Sequence, residues 1–275
     1  MVSYATILEE LRRAEVERPA LGDVIKLHVD LITIQARAAG AERLPTPDRR
    51  TLDARLIAGQ PALTADDVVV DPSAFTDLAL QVIQITTQHR PDLAAPLGGI
   101  SAWLAGRRSA MTTLACQFMS AGRLCQAEQA GLGGSLVSFV FNNALHPHLR
   151  AQADLLSPGI DETLWYRGLC PVCGGAPDLS ALSKSSGERR LLCSRCDMEW
   201  PFYRTACPFC AEDERIFYYA RQAPYRVYVC EACRRYLKTV DLREVEGQRL
   251  LPVERILTIQ ADVEARAAGW ASSDT

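Results

Sequence analysis

The chain has 275 residues, is 48% hydrophobic and carries 30 basic against 33 acidic residues, a formal net charge of -3. That length supports one large domain or two modest ones with real cores, and the slightly acidic balance provides no positive field to gather phosphates, which disfavours nucleic acid as a partner. No apolar run reaches the roughly 18 to 20 residues needed to cross a bilayer.

The opening MVSYATILEELRRAEVE reads as a charged amphipathic helix rather than a signal peptide, with Ile7, Leu8, Leu11 and Ala14 on one face. Pro19 separates it from a second helix near Leu21–Ala39. Between Gly40 and Val70, Pro45, Pro47 and Pro61 interrupt any period, so this stretch is expected to be an ordered connection with a short helix at Leu52–Ala58. Phe75, Leu78, Val82 and Ile85 then repeat at helical spacing, with Ser73 the expected N-cap and Pro91 the expected stop. Gly131–Gly134 introduce a further helix directed towards Pro147. This part is predicted to be an all-helical bundle, with a boundary near Ser157-Pro158-Gly159.

Beyond that point the texture changes to short β-branched and aromatic runs, such as Ile216–Tyr219 and Tyr225–Val229, which predict small antiparallel hairpins. After Pro252 a helical pattern returns through Ile256, Leu257 and Val263, a terminal helix that would dock on the bundle or on the modules before it.

Eight of the 10 cysteines form four CxxC pairs: Cys170/Cys173, Cys193/Cys196, Cys207/Cys210 and Cys230/Cys233. The step from the first pair to the second equals that from the third to the fourth, 23 residues, and the pattern recurs after 37. This internal duplication supplies one four-thiolate site per repeat. A two-residue gap lets a tight turn place two thiolates on one side of a tetrahedron with backbone N–H groups aimed at sulfur. Pro171 and Pro208 stiffen the opening turn of each repeat.

With no export signal visible, the thiols are expected to meet a reducing cytosol, where paired cysteines hold metal more often than they form disulfides. Four thiolates around a divalent ion leave a net charge of about -2, which Arg195, Arg204, Arg234 and Arg235 are placed to offset. Zinc and a single iron both suit such a tetrahedron, and spacing does not choose between them. Pairing of the CxxC motifs is expected to be sequential, each repeat holding its own ligand set, with a cross-braced arrangement as the alternative. Closed sites leave no position for water, so Lewis-acid catalysis is not expected.

The remaining conspicuous residues read as structural. Trp200, Tyr203 and Tyr236 are expected to pack against the metal turns, and Cys116 and Cys125 to be buried inert thiols. His146 and His148 flank a helix-breaking proline, His28 lies on a helical face, and His89 faces solvent near a helix end. The basic pairs Arg12-Arg13, Arg49-Arg50 and Arg107-Arg108 read as solvated faces, and Gly98-Gly99 and Gly133-Gly134 fit no nucleotide fingerprint.

The runs CPVCGGAP, LLCSRCDMEWPFYRTACPFC and VCEACRRYLKTVD closely resemble the FdhE family of formate dehydrogenase accessory proteins, most strongly from Leu169 to Asp241. Weaker likeness extends to ARLIAGQPAL (Ala54–Leu63) and RILTIQAD (Arg255–Asp262), where Glu254-Arg255 stands in place of the two acidic residues the family usually shows. The resemblance implies an α+β chain: a helical domain (1–164), two tandem rubredoxin-like or zinc-ribbon modules (165–203 and 204–242), and a C-terminal helix and tail (243–275). It implies two bound metal ions, suggests iron, and implies a cytoplasmic, non-catalytic, chaperone-like role towards the catalytic subunit of formate dehydrogenase. A redox or sulfur-handling enzyme acting on that subunit is the first alternative, and a nucleic-acid-binding zinc ribbon the second.

Overall fold

A computed structural model describes residues 1–39, 47–220 and 223–272. The helices are α1 (Tyr4–Glu17), α2 (Gly22–Ala38), α3 (Arg49–Ile57), α4 (Pro72–His89), α5 (Ala94–Ala105), α6 (Met111–Ala121), α7 (Cys125–Gln129) and α8 (Gly134–Leu156), with α9 (Leu251–Leu257) and α10 (Ile259–Ala267) after the strands. None is long and apolar enough to cross a membrane among the described residues. The chain divides into two compact units, one made of Ser3–Pro47 and Leu63–Leu155, the other of Met1–Val2, Asp48–Ala62 and Leu156–Thr275.

The first unit is helical. Ile7, Leu11 and Ala14 bury one stripe of α1, and the Ser3 hydroxyl caps its N-terminus by accepting from the Thr6 N–H. Phe75, Phe118 and Phe141 meet in the core at centroid distances of 5.7 and 5.4 Å. At the start of α4 the cap is Asp71, whose carboxylate accepts from the Ala74 N–H at 2.7 Å, and not the expected Ser73. Pro72 occupies the first helical position, where its fixed φ and missing N–H cost nothing, so the helix begins before Ser73.

Helix α8 runs through Pro147 instead of ending there. A proline in a helix frees the carbonyl four residues back, here that of Asn143. The Gln35 amide donates to that carbonyl at 3.1 Å and to the Asn143 side-chain oxygen at 3.0 Å, so a neighbouring helix satisfies the group that Pro147 leaves open.

The second unit is built on one six-stranded sheet. Strands β1 (Pro177–Leu182), β2 (Arg189–Cys193) and β3 (Glu199–Phe202) form an antiparallel meander, as do β4 (Ile216–Ala220), β5 (Tyr225–Cys230) and β6 (Tyr236–Asp241). Each repeat of the sequence makes one meander. The two join through a parallel β1–β6 pairing, giving the order β3-β2-β1-β6-β5-β4. Across the seam the Ser180 and Thr239 hydroxyls, both buried, share a 2.7 Å hydrogen bond.

Both C-terminal helices pack on this sheet. Leu251 of α9 closes a cluster with Leu179, Ala181, Leu192 and Val240, while Ala261 and Ala265 of α10 pack with Val227, Val229, Tyr236 and Trp270. Val263 lies on α10, within the helical pattern read from sequence, and is exposed. The connection expected between Gly40 and Val70 contains α3, capped by Asp48; its residues 40–46 lie outside the described residues.

Candidate metal centres

All four CxxC pairs adopt the same turn. The N–H of the residue four positions after the first cysteine returns to that cysteine's carbonyl in three of them, from Gly174 to Cys170 at 3.0 Å, Ala211 to Cys207 at 2.9 Å and Arg234 to Cys230 at 2.9 Å. The residue at this position is left-handed every time: Gly174 at φ 68°, Asp197 at 58°, Ala211 at 62° and Arg234 at 60°. For the three non-glycine residues that conformation costs roughly 1–2 kcal/mol each, and strain of this kind persists where surrounding structure holds it for a function.

The reversal aims backbone donors at sulfur. Val172 N–H donates to Cys170 Sγ at 3.4 Å and Arg195 N–H to Cys193 Sγ at 3.3 Å. Phe209 and Cys210 do the same for Cys207, and Cys233 and Ala232 for Cys230.

The cysteines gather sequentially, Cys170, Cys173, Cys193 and Cys196 in one group and Cys207, Cys210, Cys230 and Cys233 in the other, each with its sulfurs within 4.8 Å of one another. Sγ–Sγ separations are 3.4, 3.5 and 3.6 Å in the first group and 3.6 and 3.7 Å in the second. A disulfide needs about 2.05 Å, whereas ligands at about 2.3 Å from a tetrahedral centre stand about 3.8 Å apart. All 10 cysteines are unpaired thiols, and both groups have the donor set and spacing to hold one ion.

Their electrostatics agree. Burial pushes the Cys170 and Cys196 thiols well above the ordinary cysteine range, while hydrogen bonds from Cys170, Cys193 and Cys196 hold Cys173 well below it. In the second group burial likewise raises Cys207 and takes Cys233 to about 11. A buried cluster of this kind ionises fully only around a cation.

The groups differ in enclosure. All four thiols of the first are buried; in the second Cys210 is exposed and Cys233 half-buried. The first is closed by residues distant in sequence. Ala62 N–H donates to the Pro171 carbonyl at 2.7 Å, and Pro61 packs close over Gly174, its Cγ 3.3 Å from where a Cβ would stand. On the other side Arg255 of α9 donates to the Cys193 carbonyl at 2.5 Å, to Asp197 at 2.7 Å and to Asp178 at 3.0 Å. Burial works against its charge, but the Asp178 and Asp197 carboxylates outweigh it and raise the guanidinium above its ordinary value. The residue that departs from the acidic pair usual in the resembling family thus fixes the second turn of this centre.

Of the cations expected near sulfur, Arg195 lies beside the first centre, its side chain against Gly175. Arg234 stacks on Trp270 at 4.1 Å and Arg235 on Phe209 at 5.5 Å. Trp200 is fully buried and donates to the Arg167 carbonyl at 2.8 Å. Tyr203, expected to cover a metal turn, is exposed and stacks on Tyr166, because it follows the last residue of β3. Tyr236 is buried, but against α10, where its hydroxyl bonds Asp262 at 2.8 Å.

Cys116 is half-buried and its thiol donates to the Val68 carbonyl at 3.3 Å, whereas Cys125, expected to be buried, opens the short α7 and is exposed. His28 bonds the Val24 carbonyl, and His89 meets Asp30 at 2.7 Å. His148 is buried, and His146 packs edge-on to Tyr4. None of these enters either sulfur group. Sequence reasoning missed Arg255, the Asp48–Ala62 segment and Arg189 of β2; the weak likeness at Ala54–Leu63 and Arg255–Asp262 was the available signal for the first two.

Residues 169–204 match the family described as "FdhE, central domain", a span that contains the whole first sulfur group. Beyond that span the chain is similar to FdhE proteins over most of its length. It is 25% identical to the "Protein FdhE homolog" of Aquifex aeolicus, over 81% of this chain and 76% of that protein. With the "Protein FdhE homolog" of Edwardsiella ictaluri it shares 27% identity over 78% of this chain and 68% of the relative. Its fold is that of the FdhE protein from Pseudomonas aeruginosa, whose crystal structure superposes with a TM-score of 0.62 at 21% identity, covering 98% of this chain and 92% of that one.

Proposed function

We propose that this chain is a cytoplasmic accessory protein that binds the catalytic subunit of formate dehydrogenase during its assembly or activation, and that it is not itself an enzyme. The reading rests on the likeness to FdhE proteins over most of the chain. The eight cysteines are the proposed ligands, Cys170, Cys173, Cys193 and Cys196 for one ion and Cys207, Cys210, Cys230 and Cys233 for the other. Iron is favoured by the family resemblance, with zinc the other ion this donor set suits. Such ions supply folding free energy and rigid presenting surfaces.

Purified full-length protein mixed with the catalytic subunit should give a stable complex and no turnover of formate. Absence of a complex with either mature or cofactor-free subunit overturns the accessory reading. The exposed Cys210 favours one second reading, redox or sulfur handling at the second centre. That reading predicts thiol-dependent transfer of sulfur or electrons to the subunit, lost in Cys210→Ser; binding without transfer eliminates it.

A further inference from the structure

Arg189 opens β2, yet its side chain is 1% exposed and lies against the second sulfur group, not the first. One terminal nitrogen donates to the carbonyl of Ala206, the residue before Cys207, at 3.3 Å. Its guanidinium carbon stands 4.3 Å above the ring centre of Tyr228, two residues before Cys230. Nε and the other terminal nitrogen have no hydrogen-bond partner, and no carboxylate pairs with this cation among the described residues. Arg189, Ala206, Cys207, Tyr228 and Cys230 line one small cavity.

An isolated buried guanidinium is costly, and proteins retain one only against an opposite charge. The duplication shows what is missing. Thirty-seven residues on from Arg189 is Arg226, at the equivalent place in β5, paired with Asp241 at 2.5 Å and Glu244 at 2.8 Å. The residues 37 before those two carboxylates are Arg204 and Cys207. Where the second repeat has an acid to neutralise its arginine, the first repeat has another arginine and a thiol of the second centre.

We infer that Arg189 is the counter-charge of the second metal centre: the four-thiolate complex, not a carboxylate, is the anion this buried guanidinium faces. This rests on the proposal that both groups hold metal. It makes the two repeats interdependent, because a strand of the first module stabilises the ion of the second. Arg189 makes no hydrogen bond to a ligand sulfur among the described residues, so its role is electrostatic and positioning.

The test uses full-length protein loaded with zinc, with release to a chelating dye followed over time; Cys210→Ser and Cys196→Ser identify the phase belonging to each centre. Arg189→Met should weaken the second centre by about 10-fold or more, the usual effect of removing an outer partner of a metal ligand, and leave the first unchanged. Arg189→Lys should recover part of that loss. In cobalt-loaded protein, removing the positive charge should move the thiolate-to-cobalt charge-transfer band of the second centre to lower energy. An ion held as tightly by Arg189→Met as by the unsubstituted chain, with an unmoved band, overturns this inference alone. Equal weakening of both centres without rescue by lysine also overturns it, as a packing defect. A second group that binds no metal in the unsubstituted protein overturns the metal proposal and this inference together.

Discussion

The two sulfur groups are made from one turn repeated four times, yet one is sealed and the other open. Left-handed residues recur at the same position in every turn, so the backbone is not the source of the difference. What differs is what covers them: the Pro61–Ala62 segment and Arg255 enclose the first, while Cys210 of the second reaches solvent. Ligand sets fix which ions fit, whereas enclosure governs access and local dielectric and hence the ease of exchange. A duplicated module can therefore supply a permanent structural centre and a more accessible one without changing any ligand.

The largest effect that would break this comparison comes from removing a ligand. A structural tetrahedral ion contributes on the order of 10 kcal/mol of folding free energy. Cys196→Ser should lose the first ion and a large part of that stability, lowering Tm by more than about 10 °C. Cys210→Ser should also lose one ion but keep the first, with a smaller fall in Tm. Metal content and calorimetry of the two proteins decide it. Equal falls in Tm, or loss of both ions from both variants, would mean that enclosure does not separate the centres.

A smaller effect sharpens the comparison at the enclosure itself. Arg255→Met removes the guanidinium shared by Asp178, Asp197 and the Cys193 carbonyl. Breaking a buried ion pair costs about 3–5 kcal/mol, and the lower end applies because the Arg255 side chain retains 20% exposure. Unfolding in denaturant should show that loss, and chelator should then strip the first centre faster while the second is unaffected. If the second centre loosens to the same degree, Arg255 supports the sheet generally and not the turn it touches.

Much of this site could be read from the sequence because ligand spacing is a local property. The 37-residue repeat delivers both sulfur groups and the two meanders, each of which closes within its own stretch of chain. Contacts between distant segments have no such signature. The parallel β1–β6 seam joins strands whose paired residues Ser180 and Thr239 stand 59 residues apart, and nothing in the alternation of β1 announces its partner. Pro147 reads as a stop because the compensating donor, Gln35, lies 108 residues away from Asn143. Arg189 carries no signal in the sequence, because only the comparison with Arg226, after folding, reveals a buried arginine with no carboxylate beside it.

The smallest prediction concerns the seam, where the repeats meet as equals. Ser180 and Thr239 are buried and bonded to each other through their hydroxyls. Ser180→Ala leaves the Thr239 hydroxyl buried without that partner, which costs about 1–3 kcal/mol. Adding Thr239→Val removes the remaining polar group at nearly constant shape, so the double variant should recover most of the loss. Denaturant unfolding of the two single variants and the double closes a cycle whose coupling measures the bond. Additive losses would mean that the hydroxyls act separately, leaving the meanders joined by the backbone ladder and the apolar cluster of Leu179, Ala181 and Val240.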